Sequence, residues 1–209
     1  MSQLDNVLDL PIYLVTVKSF TDRHAHMKEQ AQRFGLSIEF LEAFDAVELT
    51  SVDYSRVVSG CMEPPGVSTV LKHVLANEHV VSRNQKVALV LEDDAILFDG
   101  FREKLDQVLS LTNDLEPGWL IFLGGADNKL DSRFFESRKL RLIEKPISTA
   151  EAYLMDYEGC ARRLAWLRDH LIDKPADHFL QSVDPMLNVQ HYWPSVALAT
   201  QGSIPGQFK

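Results

Sequence analysis

The stretch Lys86-Val-Ala-Leu-Val-Leu-Glu-Asp-Asp-Ala95 constrains the fold of this chain more than any other. Val87 to Leu91 form an unbroken apolar run, and Glu92, Asp93 and Asp94 follow at once. Such a run reads as a strand covered on both faces, as in a parallel sheet. Three carboxylates cannot join that core without partners. They are expected at the strand's C-terminal mouth, where open α/β sheets bind their ligands. Clustered oxygens there suit a hard divalent cation and, through it, a phosphate-bearing substrate.

The remaining pattern agrees with an α/β chain. Ile12 to Val17 is a β-branched strand, and Thr21 and Asp22 can cap a helix carrying Met27, Ala31 and Phe34 and ending at Gly35. Ser37 to Leu41 is the next strand, so the chain opens as β-α-β with a parallel pair. Residues 44 to 66 read as irregular, with Pro64-Pro65-Gly66 as a stop. Val67, Val70, Leu71, Val74 and Leu75 mark a helix leading to the acidic strand, and Phe101, Leu105, Val108 and Leu109 mark another. Trp119 to Leu123, Ser137 to Ile143 and Ala152 to Asp156 read as strands. Cys160, Leu164, Leu167 and Leu171 read as one helix face, and the last 35 residues as mostly irregular.

At 209 residues the chain fits one domain over 1–209. A net charge of -9 argues against nucleic acid as the main partner. Two cysteines, Cys61 and Cys160, make no framework and favour a reducing compartment. The N-terminus does not read as a secretory signal, and no apolar run approaches the roughly 20 residues of a membrane span. A soluble, cytoplasmic protein is expected, with peripheral contact at the inner membrane left open.

Several residues are candidates for chemistry. Asp94 is the acid best placed to hold a metal, and Glu92 or Asp93 can meet a ribose hydroxyl or a metal-bound water. A merely solvated acidic turn is the alternative. Thr16, Lys18, Asp22 and Arg23 follow the first strand and face the same mouth, where Arg23 can pair with a phosphate or with the acids. His73 lies beside an apolar stripe, and a structural hydrogen-bonding role is its plainer reading. Gly124-Gly125, with Asp127 and Asn128, allows close approach of a ligand or simply makes a turn. Pro175-Ala-Asp177-His178 reads as a loop that can supply a base or a metal ligand.

At these residues the chain resembles the family 25 glycosyltransferases, bacterial lipopolysaccharide and lipooligosaccharide galactosyltransferases whose relatives glycosylate collagen. The likeness is carried in order by Ile12 to Arg23, Phe40-Leu-Glu-Ala-Phe-Asp45, Leu71-Lys-His73, Leu91-Glu-Asp-Asp94, Gly118-Trp119 to Gly124, Ala152-Tyr-Leu154, Pro175-Ala-Asp177, and Gln201 with Ser203-Ile204. Departures occur at Thr16, where the family has Asn, at Lys72, where it has Ser, and at Thr149-Ala-Glu151, where it has Gly-Thr-His.

The resemblance implies a GT-A-like, Rossmann-like domain with a mostly parallel central sheet flanked by helices. It implies inverting transfer, typically of galactose from UDP-galactose, to a hydroxyl of a glycan or glycolipid acceptor, with Mn²⁺ or Mg²⁺ as cofactor. On this reading Asp94 and Glu92 hold the metal, and Thr16, Lys18, Arg23, His73, Glu92, Asp93 and Gly124 bind the donor. Asp177 is the implied base, with Glu151 second. The alternatives are a catalytically silent nucleotide-sugar or glycan-binding module, motivated by the departures, and a metal-dependent phosphohydrolase. The latter lacks a dense set of further acids or histidines.

Overall fold

In the computed structural model, which describes residues 9–124, 141–144 and 149–203, the Val87 run is the strand β3. Elements before it are β1 (Ile12–Val15), α1 (Thr21–Phe34), β2 (Ile38–Leu41), α2 (Ser51–Tyr54) and α3 (Pro64–Ser82). From β3 (Val87–Glu92) follow β4 (Ala95–Leu97), α4 (Phe101–Leu111), β5 (Trp119–Phe122), β6 (Leu142–Glu144) and β7 (Ala152–Asp156). Then come α5 (Tyr157–Trp166), α6 (Ala176–Val183), β8 (Gln190–Pro194) and β9 (Ala199–Gln201).

Among the described residues, seven strands form one sheet in the order β2-β1-β3-β7-β5-β8-β6. β1 pairs parallel with both β2 and β3, as the β-α-β opening requires, and β5 pairs parallel with β8. β7 is antiparallel to β3 and β5, and β6 is antiparallel to β8. The sheet is therefore mostly parallel, with β7 reversed at its centre. That reversal puts the start of β7 at the same edge as the end of β3.

Successive residues of a strand point to opposite faces, and both faces here are covered. Tyr13, Val15, Ala88 and Val90 join one core with Val70, Leu71 and Val74 of α3 and Phe179 of α6. Ile12, Leu14, Leu89 and Leu91 join the other with Met27 of α1 and Phe101, Leu105 and Val108 of α4. This two-sided burial is why the Val87 run has no polar alternation.

Local details correct several expectations. The N-cap of α1 is Phe20, with no side-chain cap bond, and Thr21 and Asp22 lie inside the first turn. Gly35 does end that helix, in the left-handed conformation at φ 63° that glycine adopts without strain. Pro64-Pro65-Gly66 opens α3 rather than only stopping what precedes it, because proline's missing N–H costs nothing in a first turn. The segment 44 to 66 contains α2, opened by a Thr50–Asp53 capping box. α5 ends at Trp166, so Leu171 lies beyond the helix and is half exposed. The described part of the tail, residues 175–203, is not mostly irregular, since α6, β8 and β9 lie there.

One polar cluster is sealed beneath α5. Arg163 donates from Nε and Nη2 to the two carboxylate oxygens of Asp184 at 2.7 Å each, and from Nη1 to Asn77 of α3 at 3.2 Å. His191 of β8 meets Asp184 at 2.7 Å through Nε2. All four side chains are buried, so the Asp184 carboxylate ties α5 to β8, and Arg163 ties both to α3.

Candidate active site

The acidic triplet lies where the strand geometry sends it. Glu92 is the last residue of β3, and Asp93 and Asp94 form the turn into β4. They line a cavity of about 310 Å³ together with Thr16 past β1, Phe20 and Arg23 at the start of α1, Ser68, Thr69 and Lys72 of α3, Gln201 at the end of β9 and Ser203 just past it.

Each acid is held differently. Asp93 is buried and accepts from the Thr16 hydroxyl at 2.7 Å and from Arg23 at 2.7 Å. The Thr16 hydroxyl in turn meets His24 Nε2 at 2.8 Å. Glu92 meets His73 Nε2 at 3.1 Å, and His73 Nδ1 meets the Tyr153 hydroxyl of β7 at 2.7 Å. An ionised carboxylate only accepts, so Nε2 is the donor to Glu92. Burial pushes the Tyr153 phenol well above its ordinary pKa, which keeps it a neutral donor.

Asp94 differs from both. Burial raises its pKa, and the neighbouring charge of Glu92 raises it further, against a hydrogen bond from Ser203. Its backbone oxygen accepts from Gly202 N–H at 2.7 Å. This contact depends on β9 pairing antiparallel with β4, Ala95 opposite Gln201. Gln30 of α1 anchors β4 from the other side, donating to the Ala95 carbonyl at 2.7 Å and accepting from Leu97 N–H at 2.6 Å.

The charges at this mouth do not balance. Arg23 answers Asp93 and Lys72 answers Asp45, whereas Glu92 and Asp94 repel one another. A cation near Asp94 and Glu92 would relieve that repulsion, so the donor set fits a hard divalent ion. Among the described residues no group of three or more His, Cys, Asp or Glu side chains is arranged to hold a metal alone. Ions such as Mg²⁺ characteristically use one or two carboxylates, completed by phosphate oxygens and water.

The remaining predicted residues divide. Glu151 is buried at the same edge, its carbonyl accepting from Glu92 N–H at 2.9 Å, but neither it nor His73 is part of the cavity lining. Lys18 pairs instead with Glu48 at the surface, at 2.6 Å, and does not line the cavity. Gly124 is also outside the lining. A Cβ there would come within 2.4 Å of the Ala199 carbonyl oxygen, so tight packing of β9 accounts for this glycine. Gly125, Asp127, Asn128, most of the Ser137 to Ile143 stretch and Ile204 lie outside the described residues. Asp177 is not in a loop but in the first turn of α6, and is absent from the cavity lining.

Sequence reasoning missed Lys72 as a site residue, and Asp45 with it. Ser68 and Lys72 repeat at i, i+4 on α3, as do Thr69 and His73. That spacing is a polar stripe beside the apolar one, and it was the available signal.

A family model described as glycosyltransferase family 25 (LPS biosynthesis protein) matches residues 9–149. The match covers β1 through β6, with Thr16, Arg23, His73 and the whole acidic triplet. It ends before Glu151, Asp177 and β9. No curated protein matches the chain. No helix among the described residues is long and apolar enough to cross a membrane. With a match over more than half its length, from the first strand through the acidic mouth, the chain belongs to glycosyltransferase family 25, the lipopolysaccharide-biosynthesis family.

Proposed function

We propose that this chain is an inverting, metal-dependent galactosyltransferase that moves galactose from UDP-galactose to a hydroxyl of a lipopolysaccharide or lipooligosaccharide glycan. The observation that carries the reading is the unbalanced pair Glu92 and Asp94 at the cavity mouth. A nucleotide diphosphate cannot approach two carboxylates without a cation between them. A Mn²⁺ or Mg²⁺ held by Asp94 and Glu92 would supply charge neutralisation for the departing diphosphate. The His73–Tyr153 pair keeps Glu92 aimed, and Thr16 and Arg23 keep Asp93 fixed.

Inversion needs no protein nucleophile. It needs a carboxylate that takes the acceptor proton from the face opposite the leaving group. Glu151 is the better placed of the two candidates, because its backbone bonds to Glu92 at the mouth. Glu151→Gln should lower kcat by about 10²-fold or more with little change in donor KM. Asp177→Asn should leave kcat within about twofold. The reverse pattern would return the base to Asp177.

Calorimetric titration with UDP, with and without Mn²⁺, tests the whole reading, followed by a panel of UDP-sugars. Metal-dependent UDP binding with turnover of UDP-galactose supports it. Binding without turnover on a broad glycan panel would favour a silent module. No UDP binding in either condition would refute the nucleotide assignment.

A further inference from the structure

Lys72 is an anomaly on α3. Its side chain is 1% exposed, and a buried ammonium is expensive unless every interaction it makes is well formed. A methionine would fill the same space without that penalty. The ammonium donates to the Thr16 carbonyl oxygen and to Asp45 Oδ1, and an ammonium has three hydrogens. Among the described residues no acceptor takes the third.

The partners are fixed as well. Asp45 Oδ2 accepts from the Lys18 backbone N–H at 3.0 Å. Burial alone would raise the Asp45 pKa, but hydrogen bonds from Lys72 and from Lys18 N–H outweigh it and hold the carboxyl low. The pair is therefore an ammonium held in one place by a carboxylate that is itself held. Lys72 also lines the acidic cavity. The only other cation there, among the described residues, is Arg23, which is already committed to Asp93.

We infer that Lys72 is a donor-binding residue, its third N–H offered to a phosphate oxygen of a diphosphate seated in the cavity. The inference rests on the nucleotide-sugar reading above and deepens it. A preset ammonium loses little freedom on binding, so the contact favours the doubly charged diphosphate over uncharged parts of the ligand. A purely structural Lys72–Asp45 clamp would stabilise the fold but would not discriminate by phosphate charge.

The test uses UDP and inorganic pyrophosphate as calorimetric probes in Mg²⁺ buffer. Lys72→Met is compared with wild type, together with the double variant Lys72→Met/Asp45→Asn, which leaves no orphaned carboxylate. Folding is followed by circular dichroism and thermal unfolding. Both probes are expected to bind about ten- to hundredfold more weakly to a folded variant. Affinities within about threefold of wild type would overturn the inference and leave Lys72 as a clamp.

In the wild-type protein the Lys72 side-chain NMR signal should move on addition of pyrophosphate. A signal that stays put overturns the inference even if neither variant folds. Pyrophosphate binding lost in the variants, with no UDP binding by wild type, would sustain Lys72 and sink the nucleotide reading. Binding of neither probe by wild type would sink both.

Discussion

Asp94→Asn is expected to lower kcat/KM for sugar transfer by about 10²- to 10³-fold, the usual effect of losing one preorganised electrostatic contact to a developing charge. It should also abolish the metal dependence of UDP binding. The amide keeps the size of the carboxylate and leaves the backbone bond to Gly202 in place. It loses the charge that would face a cation.

The same substitution removes the repulsion with Glu92 that burial makes worse. The thermal midpoint of the variant should therefore stay level or rise while activity collapses. Such a trade is typical where a site carries charge for function at the expense of the fold. Steady-state kinetics with UDP-galactose, and calorimetry with and without Mn²⁺, check the first half. A melting curve checks the second. Transfer retained within about tenfold of wild type would remove Asp94 from the metal site.

Arg163→Met should have the largest effect on stability. Asp184 is fully buried, and Arg163 supplies two of its hydrogen bonds. Removing one partner of a buried ion pair strands the other, at a cost of about 3–5 kcal/mol. The pH dependence gives a sharper signature. Burial pushes the Asp184 pKa up, but the charge and hydrogen bonds of Arg163 outweigh it and hold the native carboxyl below its ordinary value.

A depressed native pKa stabilises the fold above the unfolded carboxylate's pKa, about 3.9, and that contribution is lost as pH falls through the lower native value. Without Arg163 only the His191 contact opposes the burial penalty, and the native pKa is expected to rise above the unfolded one. The Asp184 contribution is then present at low pH and lost as pH rises through the native pKa. Urea unfolding across about pH 4 to 7 should show almost no Asp184-linked slope in the wild type, and in the variant a stability that falls as pH rises. An unchanged slope would mean that Arg163 does not govern that carboxyl.

What could be read without coordinates follows from periodicity. The Val87 run carried its own diagnosis, because residues that alternate between two covered faces must all be apolar. β1 and β5 were legible on the same ground, and Gly35 was legible as a helix end because it alone tolerates positive φ there without strain. The acids could be assigned to the mouth because burying them unpaired is too costly. Arg23 pairing with the acids was one of two readings open at the start, and it is the one observed.

The tail was not legible, since its strands gain their partners from far away. β9 exists because β4 and Leu123 accept its backbone, and Gln201 and Ser203 reach Asp94 only through that pairing. The reversal of β7 was equally hidden, because strand direction leaves no mark in a run buried on both faces. It is this reversal that brings Glu151 beside Glu92 and Tyr153 beneath His73.

The sequence by itself determined that a strand buried on both faces lies in the core and that an acidic mouth must end it, because local periodicity and the cost of unpaired charge act within a few residues. Only the tertiary structure decided which charges are already answered and which are left over. Arg23 for Asp93 and Lys72 for Asp45 are pairings made by packing between distant elements, which no local pattern encodes, and they leave Glu92 and Asp94 repelling one another.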